Sequence, residues 1–223
     1  MKWVSFEGGI SEGKTTLLKQ LSTQYDNSCI AYEPVEEWEA SGMLKMSYED
    51  KTYIFPSQCD FFDSRISAFN KVYDQGLNDG KRYIFSERSP FSDKVFWQLR
   101  HKRDKMDNKL FDLYNRLWIQ WQRLTRLSQP SLFVLLRASS TDICFDRLRE
   151  RDRDAEKSVS FEYLDSLRHE HDEVFNPTTG VKMPDGTIVP VMVIETDSNF
   201  RDDPNELQKI SEQILARLAQ LEE

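Results

Sequence analysis

The sequence has only three cysteines, Cys29, Cys59 and Cys144, and none stands in a C-x-x-C pair. That spacing excludes a disulfide framework or a thiolate zinc site and points to free thiols in a reducing, cytosol-like compartment. Histidine is as scarce, with His101, His169 and His171. His169 and His171 are two apart, so a helix sends them to different sides and they make a poor metal pair. No apolar run reaches the ~18 residues of a membrane span, and the N-terminus has the pattern of neither a signal nor a transit peptide. Excess positive charge is missing too. The 223 residues carry a formal net charge of −8, which argues against a nucleic acid polymer as partner. A small anion at one focused basic site remains compatible with that charge. No repeat, low-complexity tract or linker divides the chain, so a single domain over residues 1–223 is expected.

What is present is a large aromatic complement, 14 Phe, 8 Tyr and 5 Trp, enough for a substantial core. Five short apolar runs, Trp3–Phe6, Cys29–Tyr32, Tyr83–Phe85, Leu132–Leu136 and Val191–Ile194, lack alternation and predict strands covered on both faces. Helical stripes lie between them: Phe62, Ile66, Phe69 and Tyr73; Leu110, Leu113, Leu117, Trp121 and Leu124; and Leu207, Ile210, Ile214, Leu218 and Leu221. Strands alternating with helices predict an α/β fold with a parallel sheet wrapped on both faces. Asn176–Pro190 reads as a loop or exposed hairpin, and the highly charged stretch Arg149–Glu156 as exposed and mobile.

The most specific motif is Gly8-Gly9-Ile10-Ser11-Glu12-Gly13-Lys14-Thr15, a match to G-x-x-x-x-G-K-[ST] between an apolar strand and a helical run. Such a loop, continuing into Thr16, curls backbone amides around phosphates at a helix N-terminus. Lys14 is expected at the β- and γ-phosphates of ATP and Thr15 on Mg2+. The second strand ends at Glu33, ahead of Trp38, and the third at Glu87-Arg88-Ser89. Ligands gather at these carboxyl ends, where a carboxylate can take a proton from a hydroxyl. Gln58 and Arg65 are seven apart on one helix face, and Asp93 can pair with Arg65 across a pocket. Arg147, Arg151 and Arg153 are placed to close over ATP.

These segments, in this order, resemble the deoxyribonucleoside kinase family, on its deoxycytidine and deoxyguanosine kinase-like branch. The markers are the phosphate loop, Glu33–Trp38, Phe55 with Gln58 and Ser64-Arg65, Glu87-Arg88-Ser89 with Asp93, the three lid arginines, and Phe161-Glu162-Tyr163-Leu164. The resemblance implies five parallel strands with helices on both sides and an arginine-rich lid at about residues 147–158. It implies Glu33 as general base for a 5′-hydroxyl, Arg88 on that hydroxyl and the transferred phosphate, and Glu87 near magnesium. Gln58 would pair with the base edge between Trp38 and Trp97, and Tyr48 and Glu162 would hold the 3′-hydroxyl. A homodimer is implied, with Phe111 and Trp118 as a second apolar face, and so is inhibition by a deoxynucleoside triphosphate. Arg65 and Asp93 favour deoxyadenosine, deoxyguanosine or deoxycytidine over thymidine. The sequence departs from the pattern at Phe61, Ser57 and Trp97. A nucleoside monophosphate kinase of the thymidylate kinase type, or a non-catalytic nucleotide-binding protein, stays open as an alternative.

Overall fold

Each of the five apolar runs forms a strand of one parallel sheet. The computed structural model describes residues 1–198 and 203–220; Leu221 lies outside them. In chain order the elements are β1 (Lys2–Glu7), α1 (Lys14–Gln24), β2 (Ser28–Ala31), α2 (Val35–Ala40), α3 (Met43–Glu49), α4 (Ile54–Asn78), β3 (Tyr83–Glu87), α5 (Pro90–Asp104), α6 (Asn108–Gln122), β4 (Leu132–Arg137), α7 (Thr141–Arg151), α8 (Phe161–Val174), β5 (Val181–Lys182), β6 (Ile188–Val189), β7 (Val191–Glu195) and α9 (Pro204–Gln220).

The sheet order is β2-β3-β1-β4-β7. The chain builds one side first and then crosses β1 to build the other. This puts a topological switch at the carboxyl end of β1, where open α/β sheets bind ligands. Helices cover both faces. On one, α1 and α9 bury Leu17, Leu18, Leu21, Ile210 and Ile214 against Phe6, Phe85 and Val134. On the other, α4, α5, α6 and α8 enclose Phe62, Trp97, Tyr114, Phe133 and Leu167. Phe62 is fully buried, so its truncation to Ala costs on the order of 3–5 kcal/mol.

The stripe on α4 packs as its spacing predicts, with Phe62, Ile66 and Phe69 buried. The stripe on α6 packs only through Trp121, whose ring lies 5.1 Å from Phe62. The buried residues there are Tyr114, Trp118 and Gln122, with Phe111 stacked on Trp97 and the Trp118 indole donating to the Pro90 carbonyl at 2.6 Å. Leu110 and Leu124 are exposed instead. The apolar face of the helix is broad, and the larger aromatics took its inner side. Phe111 and Trp118 therefore do not form a free second face; Leu110 is exposed and Leu113 and Leu117 are half-buried.

The segment after α7 also differs from expectation. A short 3-10 turn (Asp154–Glu156) follows, and Ala155 and Glu156 are buried, Ala155 beside Trp38 and Leu44. Charge along the segment masked these anchors. The predicted hairpin exists as β5 paired antiparallel with β6, but Val181, Met183 and Val189 tuck into the core.

Candidate functional site

The carboxyl ends of β1, β2 and β3 open into a cavity of ≈ 460 Å³, a size ordinary for a small-molecule site. The phosphate loop forms one end of it. Gly8 and Gly13 have φ of 133° and 88°, and a Cβ on Gly8 would meet the Leu136 carbonyl oxygen at 2.4 Å. Only glycine therefore lets the loop leave β1 this close to β4. Ile10, Ser11, Gly13, Lys14, Thr15 and Thr16 line the cavity.

Gly8 and Gly9 open the loop without lining the cavity, their carbonyls accepting from Lys14 Nζ at 3.2 and 2.6 Å. The Glu12 side chain turns away from the cavity. It accepts from the Ala138 amide at 2.7 Å and the Thr196 hydroxyl at 3.1 Å, so only its main chain remains for a phosphate. Burial, with the Arg88 guanidinium nearby, pushes Lys14 down to about 8.

Beside the loop, Thr15 Oγ1 donates to Glu87 Oε1 at 2.5 Å. Burial and the Glu33 charge raise the Glu87 carboxyl. These two hard oxygens suit magnesium. Among the described residues no cluster of three acidic, His or Cys ligands exists, so such an ion would complete its shell from phosphates and water.

Glu33, just beyond β2, lies between two arginines. Arg65 Nη2 donates to its Oε1 at 2.6 Å and Arg88 Nε to its Oε2 at 3.2 Å. Burial alone would raise this carboxyl, but Arg88, Arg65 and Lys14 outweigh it and hold it below the usual range. Arg65 also pairs with Asp93, and Gln58 Nε2 reaches Asp93 Oδ1 at 3.3 Å. Burial lifts Asp93 to about 6 even against that arginine. Trp38 and Phe61, with ring centroids 4.5 Å apart, close the wall. The Trp38 indole is fixed by Ser64 Oγ at 2.8 Å. Tyr48 lines the cavity beside Arg100 and Tyr163.

Arg147, Arg151 and Arg153 line the same cavity. Arg147 donates to the carbonyls of Thr196, Asp197 and Ser198. Arg151 and Arg153 both hold Glu156, and Arg153 adds Glu39 at 3.0 Å.

Two expected residues are elsewhere. Trp97 is fully buried behind the cavity, 4.3 Å from the Tyr114 ring and stacked on Phe111. On α5 the cavity face runs through Asp93, Phe96 and Arg100, spaced as one helical face. Phe96 therefore stands in the wall and Trp97, one step round, does not. Glu162 is exposed in the first turn of α8, its carboxyl lowered by its own amide and Ser160. It sits in the first turn of a helix capped by Ser160, and the neighbouring Tyr163 faces inward instead.

The sequence reading also missed Glu7, His171, Arg100 and Glu156. Glu7 accepts from Ser5 and Ser89 at 2.6 and 2.5 Å and from Ser92, tying β1 to the start of α5. His171 Nε2 lies 3.3 Å from Arg88 Nη1. In sequence Glu7 is marked only by following the apolar run Trp3–Phe6, and nothing local marks the other three.

The family model for deoxynucleoside kinase matches residues 4–219. A probable deoxycytidine kinase of fowlpox virus is 30% identical over 99% of this chain and 89% of its own length. The deoxycytidine kinase of Rattus norvegicus is 26% identical over 95% and 90%. A mitochondrial deoxyguanosine kinase of Xenopus laevis is 24% identical over 99% and 91%.

Proposed function

Because this chain belongs to the deoxynucleoside kinase family and so phosphorylates deoxynucleosides, we propose that the donor is ATP with magnesium and the acceptor the nucleoside 5′-hydroxyl. The whole chain acts as one catalytic domain, with residues 147–158 as its lid. The observation that carries this reading is Glu33, a buried carboxylate held at a strand end in the cavity that also contains Lys14.

Its depressed pKa keeps Glu33 ionised and ready to accept the hydroxyl proton. The nucleoside oxygen attacks the γ-phosphorus, the new O–P bond forms as the bond to the bridging oxygen of the β-phosphate breaks, and the proton passes to Glu33. Lys14, Arg88 and the lid arginines Arg147, Arg151 and Arg153 meet the charge on the moving phosphoryl group. Thr15 and Glu87 would hold magnesium, which neutralises phosphate charge when bound. Gln58, Arg65 and Asp93 face the base, with Trp38 and Phe61 along its plane, and Tyr48 approaches the sugar.

A monophosphate acceptor fits this end poorly, since Glu33 and Asp93 would both oppose its charge. The polar Arg65–Asp93 pair and the names of the relatives favour deoxyadenosine, deoxyguanosine or deoxycytidine over thymidine. One cavity joins the base end to the phosphate loop, so a deoxynucleoside triphosphate can span both and inhibit. The exposed Leu110 and Ile119 of α6 support a homodimer. The free thiols fit the cytoplasm, and no described helix is long and apolar enough to cross a membrane.

The test is turnover of each nucleoside and monophosphate, in the wild type and in Glu33→Gln. We expect nucleoside turnover to drop ~10²–10⁴-fold in the variant with nucleoside binding retained. A near-normal kcat would remove Glu33 as the base, and preferred turnover of a monophosphate would replace the reading.

A further inference from the structure

Arg88 carries more contacts than any other side chain in the site, and one of them has no role in the scheme above. Its backbone is left-handed, with φ 67°, and its amide donates to the Phe6 carbonyl at 2.9 Å. Ser89 is bound to Glu7. The main chain is therefore fixed, but a guanidinium on a long stem still has to be aimed. On one side Arg88 donates to the carbonyls of Gly8 and Gly9 at 2.6 and 3.3 Å and to Glu33. The Phe96 ring lies 4.9 Å from it. The remaining contact is His171 on α8.

The chemistry of that contact is determined. His171 Nδ1 lies 2.8 Å from the Leu167 carbonyl, which can only accept, so the ring proton is on Nδ1 and Nε2 offers a lone pair. Phe96 packs edge-on and Phe175 stacks on the imidazole, both at 5.9 Å, which fixes its plane. Burial, then the Arg88 and Lys14 charges, hold its pKa well below the ordinary value. A protonated ring would have nothing to accept with and would repel Arg88.

We propose that His171 is a positioning residue for phosphoryl transfer: its Nε2 accepts from Arg88 Nη1 and holds the guanidinium between the phosphate loop and Glu33. It touches neither substrate and acts through Arg88, so the inference rests on the role of Arg88 proposed above.

Two amides of different reach test it. His171→Gln can place its Oε1 where Nε2 stood, whereas His171→Asn stops short of Arg88 while keeping a polar group near Leu167. Each is made alone and with Arg88→Ala, and turnover is followed with radiolabelled ATP. His171→Asn is expected to lose roughly ten- to hundredfold in kcat, the scale set by a misplaced group. KM for ATP and nucleoside should move less than ~threefold, as for an interaction that matters mainly in the transition state. His171→Gln should recover most of the kcat, and with Arg88→Ala the Asn substitution should cost nothing further.

An unchanged kcat in His171→Asn overturns the proposal. So does an equal loss in Asn and Gln, or a loss that persists without Arg88, since either is what a purely packing role gives. If Arg88→Ala alone keeps full turnover, it is the Arg88 assignment that fails, and the two failures are distinguishable.

Discussion

Lys14 should titrate within the working range of the protein, and ATP binding should show it. The ammonium is buried among loop carbonyls with Arg88 nearby, which brings it from the ordinary 10.5 to about 8. The free protein thus has about one tenth of its Lys14 neutral at pH 7, about half at pH 8 and about nine tenths at pH 9. A bound triphosphate surrounds the ammonium with negative oxygens and restores the proton. Binding should therefore take up ~0.1, ~0.5 and ~0.9 proton at those three values. Affinity should fall about tenfold from pH 7 to pH 9. Calorimetric titration with a non-hydrolysable ATP analogue, repeated in buffers of different ionisation enthalpy, reads the uptake directly. No uptake at pH 8, with affinity flat from pH 7 to 9, would refute the reasoning. The same shift makes the charged lysine a burden on the free fold, at most about 3 kcal/mol. That burden is full below pH 8 and lifts as pH rises toward 10.5, because the native state is the one that disfavours the proton. Lys14→Met should thus raise Tm at pH 7, by a margin that shrinks across that window, while abolishing phosphorylation.

Three other outcomes follow from particular contacts. An Arg65→Met, Asp93→Ala double variant should gain kcat/KM for thymidine relative to the other nucleosides. A four-nucleoside panel checks it, and thymidine as the best wild-type substrate would contradict the pocket reading. Glu162→Gln should leave nucleoside KM within about twofold, since an exposed first-turn side chain is worth little to a pocket it does not line; a large KM rise would place its carboxylate in the site after all. Leu110→Glu with Ile119→Glu on α6 should convert the proposed homodimer to a monomer in sedimentation, and an unchanged mass would remove that helix as the interface.

The sheet was legible because buried parallel strands read as unbroken apolar runs, and the phosphate loop because its glycines and Lys14 are contiguous. The cavity-lining residues Glu33, Glu87 and Arg88 were legible from strand ends, and Gln58 and Arg65 from their seven-residue spacing. Periodicity failed on α6, where leucines and aromatics compete for the inner side and only tertiary packing chooses. Trp97 was misplaced by one residue because the helix phase of α5 is set by Asp93, Phe96 and Arg100 together. His171 was invisible for a different reason: a lone histidine acquires meaning only when the turn of α8 brings it to Arg88, 83 positions away.

The inward turn of Glu12 has a thermodynamic consequence. Its carboxylate ties the phosphate loop to the residues just beyond β4 and β7, before any nucleotide arrives. The loop's conformational freedom is thus given up during folding, when cooperative packing offsets it, and a nucleotide would meet a cradle already in shape. Binding should then carry a small heat-capacity change and little ordering entropy, because no segment of the loop has to fold around the ligand.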